Sequence, residues 1–324
     1  MKILIVGCGA VGRVYGFFLQ KAGVELGLYD RPEIAEKLKH ALESGGLALY
    51  QVSCRHRREP VERRLVNFRV IADAEEARAF APDQIWFTVP SPAYYTDWFR
   101  EFLQAVPSRR VVCFIPEGRR PEYLPQGADE RFVFGGTAFM AWQGGEEAGG
   151  GRPGGINFWR APLGIPLAGT REGCRDAGRM LKQAGFGYTA DAPDSRTQAS
   201  ITAAMTAFTA GLELAGWSLG GYRRSLWLGR AAAACREAVL GQLPAAGALQ
   251  KALLGSRFLS AVFFLVTVFL PLLVPFDLEK YLAFHYTKTR EQNLALLEMY
   301  AHDAEKSERP AGNIREILRA MRAG

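Results

Sequence analysis

KILIVGCGAVG, residues 2–12, is the stretch whose reading decides the fold. Lys2–Val6 is a short apolar run without polar alternation, as expected of a parallel strand covered on both faces. It runs directly into Gly7-x-Gly9-x-x-Gly12, and a helical pattern opens at Ala10. The spacing gives each glycine a task. Gly7 permits the tight turn, Gly9 lets the backbone approach a pyrophosphate, and Gly12 lets helix and strand pack closely. The helix start, with Ala10 and Val11 in its first turn, presents unpaired N–H groups and a partial positive charge to phosphate. In this strand–turn–helix context the motif is a dinucleotide fingerprint.

Working outward, Asp30 closes the second expected strand, eighteen residues beyond Gly12. A carboxylate there accepts hydrogen bonds from adenosine ribose hydroxyls and favours NAD. Arg31 follows at once and can clamp a 2′-phosphate, which favours NADP. The two residues leave that choice open. Ligands of open α/β sheets lie beyond the carboxyl ends of strands, so the turns Pro90-Ser91-Pro92 and Pro116-Glu117-Gly118 are expected over the nicotinamide end, with Ser91 and Glu117 as polar candidates for substrate contact.

Through about residue 190, strand patterns at Lys2–Val6, Val24–Tyr29, Phe68–Ile71, Gln84–Val89, Arg110–Ile115 and Phe132–Phe134 alternate with helical ones at Ala10–Ala22, Glu33–Ser44, Ala93–Ala105 and Gly173–Ala184. Such alternation builds βαβ units and a doubly wound parallel sheet, the Rossmann arrangement. Beyond Asp191 the strand signal vanishes, and Pro193-Asp194-Ser195 supplies a boundary and helix cap. The expectation is an α/β dinucleotide-binding domain over 1–192 and an all-helical domain over 193–324. Gly144–Gly155 is glycine-dense and reads as a loop.

The chain's 324 residues, 48% of them hydrophobic and 23% charged, exclude extensive disorder. Five scattered cysteines with no C-x-x-C pair, and only four histidines, argue against structural zinc and for a reducing cytoplasm. The net charge of +7 suits an anionic small molecule. The basic run Arg55–Arg64 lacks interleaved aromatics and reads as a solvated loop, not a nucleic-acid surface. Phe258–Val274 is almost wholly apolar, but Pro271 and Pro275 break its far end. A buried core helix is expected there rather than a membrane span, with a partner or lipid contact as the alternative.

The opening KILIVGCGAVG with Arg31, the helical second half, and the closing HYTKTREQNLALLEMYAHDAEKSERPAGNIREIL together resemble the ketopantoate reductase (2-dehydropantoate 2-reductase) family. The resemblance implies a Rossmann domain, a helical domain, and NADPH reducing a small 2-oxo acid in the cleft between them. It puts the family's phosphate-reading arginine on Arg31, which tips the cofactor to NADP with NAD still open. It also exposes departures. The family's lysine after the fourth strand is replaced by Pro90-Ser91, and its Asn-Gly after the next by Glu117-Gly118. Its catalytic lysine, with asparagine one turn later, has no counterpart in SRTQASITAAMTAF, where Ser200 and Ala204 stand nearest.

Ketone reduction needs a proton donor to the developing alkoxide. Taken as one helix, Asp277–Ala304 places Leu278, Tyr281, His285, Lys288, Gln292, Leu296 and Met299 on one stripe, apolar at both ends and polar in the middle. Lys288 or His285 is the expected donor, with Ser91, Glu117, Ser200 and Gln292 as substrate contacts. Glu291, loosely matching an acidic position of the family, projects to the opposite side. The expected activity is NAD(P)H-dependent reduction of a carbonyl or imine by a protein able to form a homodimer. A non-catalytic dinucleotide-binding sensor or scaffold is the alternative.

Overall fold

The computed structural model describes residues 1–53, 59–114, 130–145, 150–191, 196–242 and 254–323. They form two compact units, Met1–Gly144 with Arg152–Ser195, and Arg196–Gly324 with Gly145–Gly151. The expected boundary at 192/193, with its Pro193-Asp194-Ser195 cap, lies outside the described residues, as do Glu117 and the turn around it.

In the first unit β1 (Lys2–Val6), α1 (Ala10–Lys21), β2 (Glu25–Tyr29) and α2 (Pro32–Glu43) follow one another, then β3 (Leu47–Gln51), β4 (Val61–Leu65), β5 (Arg69–Ile71) and α3 (Ala74–Phe80). β6 (Gln84–Phe87), a 3₁₀ turn (Ser91–Tyr95), α4 (Asp97–Ala105), β7 (Arg110–Phe114) and β8 (Phe132–Gly135) continue the chain. β9 (Phe139–Gln143), β10 (Ile156–Arg160), β11 (Ile165–Gly169), α5 (Arg171–Gln183) and β12 (Tyr188–Asp191) complete the unit. The main sheet has eight strands in the order β12-β11-β8-β7-β6-β1-β2-β5. From β8 to β5 every pairing is parallel, with Ile3 opposite Leu26 on one side and Gln84 on the other.

Strand side chains alternate between faces, and both faces are covered. Ile3 and Ile5 join Val14, Tyr15 and Leu19 of α1 in one buried cluster, whereas Leu4 and Val6 join Phe80, Phe99 and Phe102 in the other. That is why β1 carries no polar alternation. The chain turns one way from β1 to β2 and the other way to β6, so the topological switch point lies between β1 and β6.

A second sheet, β4-β3-β10-β9, was not expected. It corrects the reading of the basic run, because Val61–Leu65 is strand β4, paired antiparallel with β3. Along Val61-Glu62-Arg63-Arg64-Leu65, Glu62 and Arg64 are exposed, while half-buried Arg63 shares the face of fully buried Leu65. The Gly144–Gly155 stretch joins β9 to β10, where fully buried Asn157 exchanges hydrogen bonds with the Arg152 backbone.

The second unit holds α6 (Arg196–Leu214), α7 (Leu219–Arg224), α8 (Trp227–Gln242), α9 (Ser256–Leu273), α10 (Leu278–Lys288), α11 (Arg290–Lys306) and α12 (Gly312–Ala323); α6, α7, α9, α11 and α12 pack on α8, and α10 packs on α6 and α11. Small residues set the crossings: a Cβ on Gly211 would lie 2.8 Å from Ala231, and one on Gly241 2.9 Å from the Ala304 backbone. Fully buried Thr209 on α6 receives a hydrogen bond from Asn293 on α11 at 3.1 Å.

Two helical expectations are corrected. Asp277–Ala304 is not one helix, because Thr289 leaves helical geometry (φ −107°, ψ 19°) and starts α11 afresh, so Gln292 does not continue the stripe of Lys288. The apolar Phe258–Val274 segment is helical but not a core helix, since α9 buries only Leu259, Phe263 and Thr267.

Candidate functional site

The loop between β1 and α1 is held by hydrogen bonds to its backbone from the flanking elements. The Gly7 N–H donates to the Tyr29 carbonyl at 3.0 Å, and the Cys8 N–H to Asp30 Oδ2 at 2.6 Å. Thr88 Oγ1, just past β6, donates to the Gly7 carbonyl at 2.6 Å, and Arg13 Nε to the Cys8 carbonyl at 2.8 Å. The ends of β2 and β6 and the first turn of α1 therefore fix the loop at the switch point.

The three glycines differ in what a side chain would meet. Gly7 sits at φ +97°, where other residues are strained, and its Cβ would press on Val89. A Cβ on Gly12 would stand 2.1 Å from the Gly7 carbonyl and 2.7 Å from Thr88 Oγ1. Gly9 is the opposite case, for a Cβ there meets nothing within 4 Å. Gly9 is also the N-cap of α1, and no side chain caps the helix and no acid stands in its first turn. The N–H groups of Ala10, Val11 and Gly12 thus have no intrahelical acceptor. An open cradle beside uncapped donors fits a pyrophosphate.

Asp30 and Arg31 divide the second strand's end between them. Asp30 is already engaged, as Oδ1 accepts from the Arg31 N–H at 2.8 Å while Oδ2 takes Cys8. The Arg31 side chain is exposed and makes no hydrogen bond or ion pair among the described residues. Arg13, part-buried on the opposite wall, uses Nε on the loop and leaves its terminal nitrogens without a partner among the described residues. Burial lowers its guanidinium pKa, and Cys8 and Asp30 offset part of that. The Cys8 thiol is buried against Asp30, which pushes its pKa far up and leaves it inert.

Residues 3–138 match the family model described as Ketopantoate reductase PanE/ApbA. That stretch, less than half of the chain, is similar to the ketopantoate reductase family. Among solved structures, the 2-dehydropantoate 2-reductase from Geobacter metallireducens GS-15 aligns over 100% of this chain and 99% of its own, with TM-score 0.65 and 14% identity. D-mandelate dehydrogenase in a ternary structure with NADH and anilino(oxo)acetate aligns over 100% and 97%, with TM-score 0.67 and 15% identity. The probable 2-dehydropantoate 2-reductase from Bacillus subtilis aligns over 100% and 99%, with TM-score 0.66 and 13% identity. These likenesses establish the fold. No protein of curated function matches the sequence.

The remaining expected residues fall in two places. Ser91 opens the 3₁₀ turn after β6 and is 5% exposed. Ser200, His285, Lys288 and Gln292 all belong to the second unit. Lys288 is exposed, with its ammonium 3.6 Å from the centre of the Phe284 ring. His285 is half-buried, stacked on Tyr281 at 5.7 Å and edge-on to Tyr286 at 5.0 Å. Burial, and then the Lys288 charge, lower its pKa, so it is neutral at pH 7. On α6, Ser200 and Ala204 are half-buried beside exposed Ile201 and Met205, while Thr202, Thr206 and Thr209 face inward. The outward arc Ser200–Met205 therefore carries no ionisable group.

Sequence reasoning missed Thr88 and Arg13. Thr88 stands at the carboxyl end of the switch-point strand, and Arg13 one turn after Gly9; both positions follow from the motif once strand order is known.

Proposed function

We propose that this chain is a nicotinamide-dependent oxidoreductase that prefers NADP and reduces a small, anionic 2-oxo acid or a related carbonyl or imine. The observation that carries the reading is the open, uncapped cradle at Gly9, where a Cβ would meet nothing. The Ala10, Val11 and Gly12 N–H groups would hold the pyrophosphate, with Gly7 and Thr88 fixing the turn beneath it. Arg31, free of partners among the described residues, supports NADP, and Asp30, turned onto the backbone, has less left for ribose. A bound nicotinamide supplies the hydride. Of this chain's own residues, His285 and Lys288 are the proton-donor candidates, with Gln292, Ser91 and Ser200 offered to substrate. The net charge of +7 favours an anionic substrate. The described cysteines are all free and buried, in keeping with a reducing cytoplasm. The neighbouring D-mandelate dehydrogenase holds NADH, which keeps NAD as the competing cofactor.

Calorimetric titration with NADPH and NADH separately, followed by NADPH turnover on a panel of 2-oxo acids, tests this reading. Tight NADPH binding with turnover is expected; failure to bind either dinucleotide overturns it. One observation favours a second reading, a sensor that binds the dinucleotide without turnover: the α6 arc Ser200–Met205 offers no proton donor where the resemblance implies a lysine. Binding without turnover of any panel member selects it.

A further inference from the structure

Resting on the dinucleotide reading above, we infer that Arg13 is a specificity residue: its terminal nitrogens form, with Arg31, a clamp for the 2′-phosphate of NADP. Arg13 is tied to the end of β2 through one residue. Its Nε donates to the Cys8 carbonyl at 2.8 Å, and the Cys8 N–H donates to Asp30 Oδ2 at 2.6 Å. The Arg31 N–H donates to Asp30 Oδ1 at 2.8 Å. Asp30 thus links the two arginines, with both of its oxygens turned onto backbone. Arg31 is exposed, Arg13 is half-buried, and the terminal nitrogens of both have no partner among the described residues.

A guanidinium taken partly out of water without a counter-ion costs stability. Asp30 is the one carboxylate whose charge offsets that cost for Arg13. The pyrophosphate is not the missing counter-ion, because a Cβ on Gly9 would meet nothing within 4 Å and the Arg13 side chain therefore stays out of that cradle. Charge points to the other phosphate. A phosphate monoester carries about −1.5 to −2 at pH 7. Arg31 set against Asp30 sums to zero and gives such a dianion no advantage over a ribose hydroxyl. Arg13 makes the sum positive, and a guanidinium fork grips phosphate oxygens in pairs. The other acids near this end are committed or in water. Asp73, beyond Tyr29, caps α3 by accepting from the Glu76 N–H at 2.8 Å, and Glu33 in the first turn of α2 is exposed.

Arg13→Gln isolates this role. The glutamine Nε2 takes the place of the arginine Nε and can keep the bond to the Cys8 carbonyl, while the terminal nitrogens and the charge are gone. NADPH and NADH, which differ only in the 2′-phosphate, are titrated calorimetrically into full-length wild type and variant. The wild type is expected to prefer NADPH about a hundredfold, about tenfold from each arginine. Arg13→Gln is expected to cut that preference about tenfold with NADH affinity unchanged. A loss shared equally by both cofactors, or no loss at all, overturns the inference and leaves the dinucleotide reading standing. Should Arg13→Gln not fold, Arg31→Gln decides alone. With Arg13 in place it is expected to retain about a tenfold preference for NADPH, and a preference abolished outright overturns the inference. A wild type that binds both cofactors equally also overturns it. One that binds neither overturns the dinucleotide reading itself, and the clamp with it.

Discussion

The Cys8 backbone N–H donates to Asp30 Oδ2 at 2.6 Å, so the carboxylate at the end of β2 is part of the loop's own scaffold. With Oδ1 held by the Arg31 N–H, Asp30 positions the turn before any ligand arrives. Asp30→Ala is therefore expected to weaken NADH and NADPH alike, by about 1.5–3 kcal/mol, the scale of a hydrogen bond to a charged group. Parallel titrations check this. Loss confined to NADH would identify Asp30 as a ribose reader instead.

Gly9 and Gly12 separate binding from folding. Gly12→Ala drives a methyl to 2.1 Å from the Gly7 carbonyl, and the backbone must shift. Overpacking of that kind costs about 1–3 kcal/mol and should lower the melting temperature as well as dinucleotide affinity. Gly9→Ala adds its methyl to open space at φ −70°. Its melting temperature should stay at the wild-type value while dinucleotide binding falls at least tenfold, read by thermal scanning and calorimetry on the same sample.

Arg31 and Arg13 carry the positive charge at this end of the site without any anionic partner among the described residues other than Asp30. Arg31→Gln is expected to weaken NADPH roughly tenfold, about 1.4 kcal/mol, and leave NADH within error. Arg13→Leu should weaken both dinucleotides, because it also removes the bond to the Cys8 carbonyl. An Arg31→Gln protein with equal losses for both cofactors would place the 2′-position elsewhere.

The sheet and the loop were legible because local chemistry fixes them. Unalternated strands need two covers, and Gly7 and Gly12 have no room for a side chain. The second sheet was hidden. Leu47–Gln51 and Val61–Leu65 pair only with each other and with a strand more than ninety residues later, Ile156–Arg160, so no local period announces them. The break at Thr289 was equally silent, since neither glycine nor proline marks it. α9 was misjudged for a different reason: apolar composition says that a face is to be covered, not by which molecule. Ser91 and Glu117 were chosen as polar residues in turns, and that criterion cannot tell a buried serine from an open one.

Glu237 is 7% exposed on α8 and caps α12 across the unit, accepting from the Asn313 and Ile314 N–H groups at 3.0 and 3.1 Å and from Asn313 Nδ2 at 2.6 Å. Its charge meets the positive end of a helix. Glu237→Ala would orphan those donors and is expected to cost about 2–4 kcal/mol. Glu237→Gln, which keeps an acceptor but not the charge, should cost less. Urea melts of both variants give the comparison, and equal losses would show that packing rather than charge holds the cap.

His285 gives the second unit a pH dependence of definite sign. Burial and Lys288 lower its pKa from the ordinary value of 6.5. The unfolded chain therefore binds this proton more readily than the native one. The stabilisation from keeping it neutral is complete above about 6.5 and is lost progressively as pH falls from there toward the lower native pKa. His285→Phe retains the aromatic contacts to Tyr281 and Tyr286 but removes the titration. Stability measured from pH 8 to pH 5 should fall more steeply in the wild type than in this variant. The difference should open only below about 6.5. Parallel curves throughout would mean that the imidazole is as free to protonate in the folded protein as in water.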